Sequence, residues 1–230
     1  MFLAFRPEVI PFVTGSLAVF GGLGLALRFL RRPRCAWLCF ALALILAGYM
    51  LYFFRDPERT APASPAAILA GADGVIMGIK SVEEKTHLKT NAVRISIFLS
   101  LVDVHVNRAP ISGRVAATGL VHGARYFTFQ EKSSELNHHT AILITNDVSA
   151  CLVHQIAGPV ARRVIQWLRL GQELKAGDRI GMMLFGSRLD LYLPESDVTV
   201  TARVGERVRA GESVVAILNK REPALPGSQP

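Results

Sequence analysis

Two charge-free apolar runs open the chain, Val9 to Leu27 and Ala36 to Phe54. Each is about 19 residues, which at 1.5 Å per residue just spans a hydrocarbon core. A tight basic connector with Arg28, Arg31, Arg32, Pro33 and Arg34 separates them. The pattern predicts a helical hairpin with Trp37, Tyr49 and Tyr52 as interfacial anchors. A cleavable leader fits poorly, because a second apolar span follows the first in place of a small-residue cleavage site. The positive-inside rule would put the arginines in the cytoplasm and the bulk of the chain outside. A re-entrant hairpin with snorkelling arginines would keep everything on one side, and the pattern is compatible with either.

From Arg55 the texture changes. Arg55-Asp-Pro-Glu-Arg59 is a charged, proline-broken exit, and Ala61 to Ala67 reads as a short linker. Short β-branched runs follow, punctuated by glycine: Gly74-Val-Ile-Met, Val93 to Leu99, Gly113-Arg-Val and Ala141 to Thr145. Such spacing predicts a sandwich or barrel of short strands. An internal repeat sharpens this. Gly171-Gln-Glu-Leu-Lys-Ala-Gly-Asp-Arg-Ile and Gly205-Glu-Arg-Val-Arg-Ala-Gly-Glu-Ser-Val share one pattern of glycine, polar and apolar positions. Each is expected to form a tight hairpin whose glycines supply positive φ, as in lipoyl-like barrel-sandwich folds. The expected fold is therefore mainly β (a β-rich α+β chain) behind an N-terminal hydrophobic helical hairpin, with residues 1–60 as membrane anchor and 61–230 as the β-rich domain.

Composition narrows the partners. Lys and Arg outnumber Asp and Glu to give a formal net charge of +8. The basic residues do not form an arm with interleaved aromatics, so nucleic acid is the weaker partner; beside an apolar N-terminus, anionic lipid is the better one. Cys35, Cys39 and Cys151 lack CxxC spacing, which argues against a disulfide framework or a zinc site and for small buried hydrophobes.

Standard cofactor and catalytic signatures are missing from the sequence: no P-loop, G-x-S-x-G, H-E-x-x-H or dinucleotide fingerprint. His138-His139 reads as a surface turn before it reads as a metal site, since strand neighbours point to opposite faces. No metal is expected. His87 and His122 read as surface positions. The Gly-Ser dipeptide occurs at Gly15-Ser16, Gly186-Ser187 and Gly227-Ser228 and by itself means nothing. The middle one interrupts an apolar stretch, where a bulge or tight turn is the ordinary reading.

Ser100-Leu-Val-Asp-Val-His-Val-Asn-Arg-Ala-Pro-Ile-Ser-Gly113, Ala72-Asp73-Gly74 before it and Phe185-Gly-Ser-Arg188 after it resemble phosphatidylserine decarboxylase proenzymes of the short prokaryotic form. Phe53 to Arg59 and Val153 to Arg163 match the family as well, so the resemblance runs in order from about Phe53 to at least Pro194. It implies autocatalytic cleavage between Gly186 and Ser187 into chains 1–186 and 187–230 that stay associated. It also implies a covalent pyruvoyl cofactor made from Ser187, whose ketone serves as the electron sink for loss of CO₂. By the same resemblance Asp73 is the acid–base aspartate and His105 the first motif histidine, the candidate for returning a proton to the product. Asn107 and Arg108 are near enough in sequence to hold the substrate's carboxylate or phosphate. The long bacterial form has a second histidine where this chain has Arg108. His154 is the candidate replacement, with a buried structural histidine as the equal alternative. A further departure lies at Asn137-His138-His139-Thr140, where relatives often show an Asn-Glu-Arg-Asn-like run.

The leading expectation is conversion of phosphatidylserine to phosphatidylethanolamine and CO₂ at the cell (inner) membrane, with the catalytic domain on the cytoplasmic face. Its partners would be a phospholipid substrate, the membrane and, as the family implies, at least one more copy of the chain. The alternative is a non-enzymatic membrane adaptor with a barrel-sandwich domain. Such proteins usually carry a long heptad-patterned hairpin, which is not seen after residue 60. A biotin or lipoyl carrier is weaker still, because neither repeat presents a lysine at its tip in the expected setting.

Overall fold

A computed structural model describes residues 4–123, 137–158, 164–184 and 186–219. Its contacts divide the chain into two compact units, residues 1–58 and 59–230.

In the first unit two helices, Pro7–Phe29 and Pro33–Phe53, are long and apolar enough to cross a membrane, with mean hydropathies of 1.8 and 2.0. Proline stands in the first turn of each, where its missing N–H costs nothing. Arg31 takes a left-handed conformation (φ 54°) to turn the chain between them. Ala36, Ala43 and Ala47 are the buried small face of the second helix, and a Cβ on Gly24 would stand 2.6 Å from the Phe40 ring. Small residues at such contacts let backbones approach closely. Leu25, Leu38, Leu44, Ile45 and Trp37 stay exposed. Cys35 is exposed as well, unlike the buried position expected of it, whereas Cys151 is buried. A short ladder of β1 (Ala4–Phe5) and β2 (Arg55–Asp56) closes the unit.

The second unit is strand-rich, as the glycine-punctuated pattern predicts. Its strands are β3 (Ala67–Leu69), β4 (Gly74–Glu84), β5 (Thr90–Leu99), β6 (Val106–Arg108), β7 (Gly113–Val121), β8 (His139–Thr145) and β9 (Ala150–Ile156). There follow β10 (Val164–Gln166), β11 (Glu173–Leu174), β12 (Arg179–Met183), β13 (Ser187–Pro194), β14 (Val198–Val200), β15 (Arg207–Val208) and β16 (Val214–Leu218). A curled sheet has the order β11-β7-β8-β9-β13-β5-β4-β15, and two small sheets have the orders β10-β12-β6 and β14-β16-β3.

These orders are two copies of one arrangement meeting at the β9–β13 pair. Reading outward from it, β5, β4 and β15 in one half match β8, β7 and β11 in the other. The backbone bonds repeat in kind: Gly205 N donates to Ile76 O and Gly171 N to Val115 O, each at 2.8 to 2.9 Å. Gly211 N donates to Ala70 O and Gly177 N to Ala109 O. Gly74 and Gly113 are also equivalent, for a Cβ on them would stand 2.1 Å from Phe98 O and 2.4 Å from Thr145 O. Close backbone approach requires glycine at both.

The two repeat segments are thus equivalent, and Gly171, Gly177, Gly205 and Gly211 all have positive φ as expected. They are not self-paired hairpins, however. β11 pairs with β7 while β12 pairs with β6 and β10; β15 pairs with β4 while β16 pairs with β3 and β14. Each repeat crosses from one sheet to another, so its turn joins layers instead of closing a hairpin. The layers enclose one apolar core, to which alternate residues Leu189, Leu191 and Leu193 of β13 contribute with Ile97, Ile95, Ile142 and Val153.

Candidate functional site

β13 begins at Ser187, immediately after the last turn of the chain that leaves β12. Gly186 is held at φ +69°, a left-handed conformation that costs an L side chain. No atom lies within 4 Å of a Cβ built on it, so the demand for glycine there is conformational. Ser187 is fully buried, and its hydroxyl donates to Leu184 O at 3.4 Å. Side chains alternate along a strand, which puts Ser187 on the core side with Leu189 and Leu191. Phe185 lies outside the described residues.

The register gathers other sequence candidates at this end of the sheet. Ser187 faces Leu99, Arg188 faces Phe98, and Phe98 faces Val75 on its other side. Asp73 and Gly186 immediately precede β4 and β13, and Ser100 immediately follows β5, so all three lie at this end of the sheet. Asp73 is nearly buried; its Oδ1 accepts from Ala210 N and its Oδ2 from Arg59 Nη2, both at 2.8 Å. Arg59 also bonds Glu212 at 3.0 Å. Burial pushes the Asp73 carboxyl above the usual carboxylate range, outweighing the Ala210 and Arg59 donors that pull it down.

His105 follows β5 by one turn and is fully buried. Its backbone carbonyl accepts from Met183 N at 3.2 Å, beside the strand that leads to Ser187. Its Nδ1 lies 3.0 Å from Asp103 O. A carbonyl can only accept, so Nδ1 carries the proton and Nε2 is the nitrogen able to take another. Asp103 shapes the turn by accepting from Ser100 N and Ser100 Oγ, and it pairs with Arg207.

Asn107 and Gln155 form a buried pair, with Gln155 Nε2 donating to Asn107 Oδ1 at 2.8 Å. Asn107 Nδ2 and Gln155 Oε1 have no hydrogen-bond partner among the described residues. Gln155 faces Leu189 across β9–β13 and therefore shares the core side with Ser187. Arg108 is put to a different use. It is buried, its Nη1 donates to Gly177 O at 2.9 Å, and its Cδ crowds Gly211, so it braces the two repeat turns where they abut.

His154 does not come to Ser187. It faces Asp190, and so projects to the opposite side of the sheet. There its ring stacks on His139 (centroids 4.4 Å apart) and meets Tyr192. Burial, with His139, His87 and Arg94 close by, depresses its pKa to about 3. His139 is a buried residue opening β8, not part of a surface turn, and His138 precedes it half-buried. His122 is exposed, while His87 lines a cavity of about 590 Å³ with Arg94, His139 and His154. No group of three or more potential metal ligands occurs among the described residues.

Sequence reasoning passed over Arg59, Asp103 and Gln155. Alternation already separates His154 from Gln155, but only the pairing with β13 tells which of them lies on the Ser187 side. Arg59 and Asp103 act through contacts far apart in sequence, which no local pattern encodes.

The strand-rich domain thus carries a left-handed Gly before a buried Ser, with an acid and an imidazole near the same sheet end. Residues 46–216 match the phosphatidylserine decarboxylase family. The phosphatidylserine decarboxylase proenzyme of Carboxydothermus hydrogenoformans is 41% identical over 174 residues, covering 76% of this chain and 82% of that one. The proenzyme of Desulfotalea psychrophila is 39% identical over 173 residues, 75% and 80% of the two chains. That of Geobacter metallireducens is 37% identical over 213 residues, 92% and 95%. The chain belongs to the phosphatidylserine decarboxylase family, and the enzyme reading stands in place of the adaptor.

Proposed function

We propose that this chain is made as a precursor, cuts itself between Gly186 and Ser187, and then decarboxylates phosphatidylserine in a membrane. The observation that carries the reading is the left-handed Gly186 followed by the fully buried Ser187 at the start of β13. Ser187 Oγ attacks the Gly186 carbonyl, and the peptide C–N bond gives way to an ester. Elimination releases the Gly186 carboxylate and leaves a dehydroalanine, which water converts to a pyruvoyl group with loss of ammonia. A serine hydroxyl needs a base for the first step. Asp73, with its raised pKa and its place at the same sheet end as Gly186, is assigned that proton transfer.

The residues present fit the pyruvoyl group: the Ser187 position is buried, and Asn107 Nδ2 is a buried donor with no partner among the described residues. When formed, the group supplies an electron sink for loss of CO₂. His105, protonated at Nδ1 and basic at Nε2, is assigned the return of a proton to the former α-carbon. Asn107 holds the substrate carboxylate through Nδ2, and Gln155 fixes the Asn107 amide. Arg108 Nη1 is engaged at Gly177 O, so the substrate carboxylate is assigned to Asn107.

Strand β13 lies between β9 and β5, both upstream of the cut. The two chains would therefore stay joined by ladders on both sides of β13. The exposed apolar flanks of the two N-terminal helices support membrane anchoring, since Leu38, Leu44 and Ile45 would be costly in water. The cytoplasmic face of the inner membrane is part of the same reading.

The test is an intact mass of the purified protein together with CO₂ release from phosphatidylserine. Two chains ending at Gly186 and starting with a pyruvoyl-blocked residue 187 are expected, with a single inactive chain for Ser187→Ala. An uncut chain that releases CO₂ would overturn the pyruvoyl assignment.

A further inference from the structure

The internal repeat provides a control for the residues around Asp73. Its two copies make the same bond at their first turn: Arg203 N donates to Glu206 Oε2 at 2.9 Å and Arg169 N to Gln172 Oε1 at 3.1 Å. They differ at the second turn. In one copy Asp178 Oδ2 accepts from Lys175 N at 2.7 Å, so the acid after the glycine closes its own turn. In the other copy that acid is Glu212, and the corresponding N–H, that of Arg209, goes to Ser213 Oγ at 2.9 Å. Closing this turn therefore does not use the Glu212 carboxylate, which is released for another contact.

That contact is Arg59, the first residue of the strand-rich unit. Arg59 Nη1 donates to Glu212 Oε2 at 3.0 Å, and Nη2 donates to Asp73 Oδ2 at 2.8 Å. One planar guanidinium fork thus joins two carboxylates, a geometry that the point charge of a lysine does not match. Only 9% of the Arg59 side chain is exposed. Withdrawing a charge from water is unfavourable unless it is closely paired, and both of these partners are acids. Arg209 is a weaker partner for Glu212, 3.8 Å away and 73% exposed. Among the described residues, the charged groups that bear on Asp73 are Arg59, which favours its carboxylate, and Asp103 from the turn after β5, which opposes it. Asp103 is itself paired with Arg207, and Asp73 Oδ1 is taken by the Ala210 N–H.

We propose that Arg59 is a positioning residue for self-cleavage: anchored by Glu212, it holds Asp73 ionised and fixes the orientation of its carboxylate. Asp73 then takes the hydroxyl proton of Ser187 as Oγ bonds to the Gly186 carbonyl carbon. It returns that proton to the Ser187 nitrogen as the C–N bond breaks. Without the cation, burial would favour the protonated carboxyl, which cannot accept. Ala210 and Glu212 both lie downstream of the cut, so the segment released by cleavage also prepares the base that releases it. The inference rests on the self-cleavage reading above and adds the residues that set its pH range.

The test follows cleavage of the full-length precursor, made by cell-free synthesis, across pH. Arg59→Met moves the rising limb to higher pH by about one unit or more, the usual effect of an arginine on a neighbouring aspartate. Arg59→Lys keeps a charge and moves the limb less. Glu212→Ala, at a partly exposed position, moves it in the same direction by a smaller step. A limb that stays in place in Arg59→Met, while cleavage slows equally at every pH, describes a merely structural arginine and overturns the proposal. Should Arg59→Met fail to fold, an unmoved limb in Glu212→Ala has the same force. Independently of cleavage, Ser187→Ala protein with carboxyl-labelled aspartate reports the Asp73 titration by NMR, and Arg59→Met in that background raises its midpoint. An unchanged midpoint overturns the proposal whether or not the parent cuts itself. An unmodified chain that stays whole at every pH would instead sink the self-cleavage reading, leaving the titration to judge the Arg59 pairing.

Discussion

Asp73 and Ser112 occupy equivalent places in the two halves of the strand-rich unit. Asp73 Oδ1 accepts from Ala210 N at 2.8 Å, and Ser112 Oγ accepts from Ala176 N at 2.9 Å. Both side chains tie a β-turn of the repeat to the residue before a glycine that opens a long strand. That structural duty needs only an oxygen acceptor, which serine meets. A carboxylate at Asp73, with Arg59 on its second oxygen, exceeds it, which fits the proton transfer proposed for it. Asp73→Asn keeps the acceptor for Ala210 and is expected to fold, but to cut itself at least about 100-fold more slowly. Ser112→Ala loses about 1 kcal/mol of stability and cuts normally. Cleavage time courses and thermal unfolding separate the two.

The pH dependence of self-cleavage follows from the same carboxyl. Asp73 has a raised pKa in the folded chain, above the value of about 4 for an unfolded aspartate. Through that window the folded state holds the proton more tightly, so rising pH costs folding stability while it creates the base. Cleavage of precursor made by cell-free synthesis should speed up with pH, with a midpoint above about 4. In Asp73→Asn this rise disappears.

His154 provides the opposite sign. Its folded pKa of about 3 lies below its ordinary 6.5. As pH falls below about 6.5 the unfolded chain takes up a proton that the folded chain refuses, and stability is lost progressively toward pH 3. His154→Phe should flatten this acid loss in a plot of unfolding midpoint against pH. It should leave cleavage intact, because His154 lies across the sheet from Ser187. Failure of His154→Phe to cut itself would return His154 to the cleavage machinery.

Beside the cut, Arg188 Nε donates to Asp190 at 2.7 Å, and Arg188 Nη2 donates to Ser96 Oγ at 2.7 Å. All three are buried. Removing one member leaves a charge uncompensated, which typically costs about 3–5 kcal/mol. Asp190→Ala, made in a Ser187→Ala background so that the chain stays whole, should unfold at a markedly lower temperature than its parent.

Much of this protein is legible in one dimension. Hydropathy and length give the two apolar helices, because a spanning helix satisfies its backbone internally and needs only a run of apolar side chains. Glycine spacing gives the strand-rich domain and the repeat, because positive φ and close backbone approach are local demands. Gly186-Ser187, Asp73 and His105 stand in segments whose order and identity carry the resemblance. The tertiary structure alone decided how these pieces meet. The repeats cross between sheets instead of closing hairpins, since pairing partners are chosen by the packing of layers. Of two adjacent residues, Gln155 turns toward Ser187 and His154 away from it, and Arg108 is spent on a backbone carbonyl. Register, sidedness and the partners of buried charges depend on residues distant in sequence, and only the folded chain brings those together.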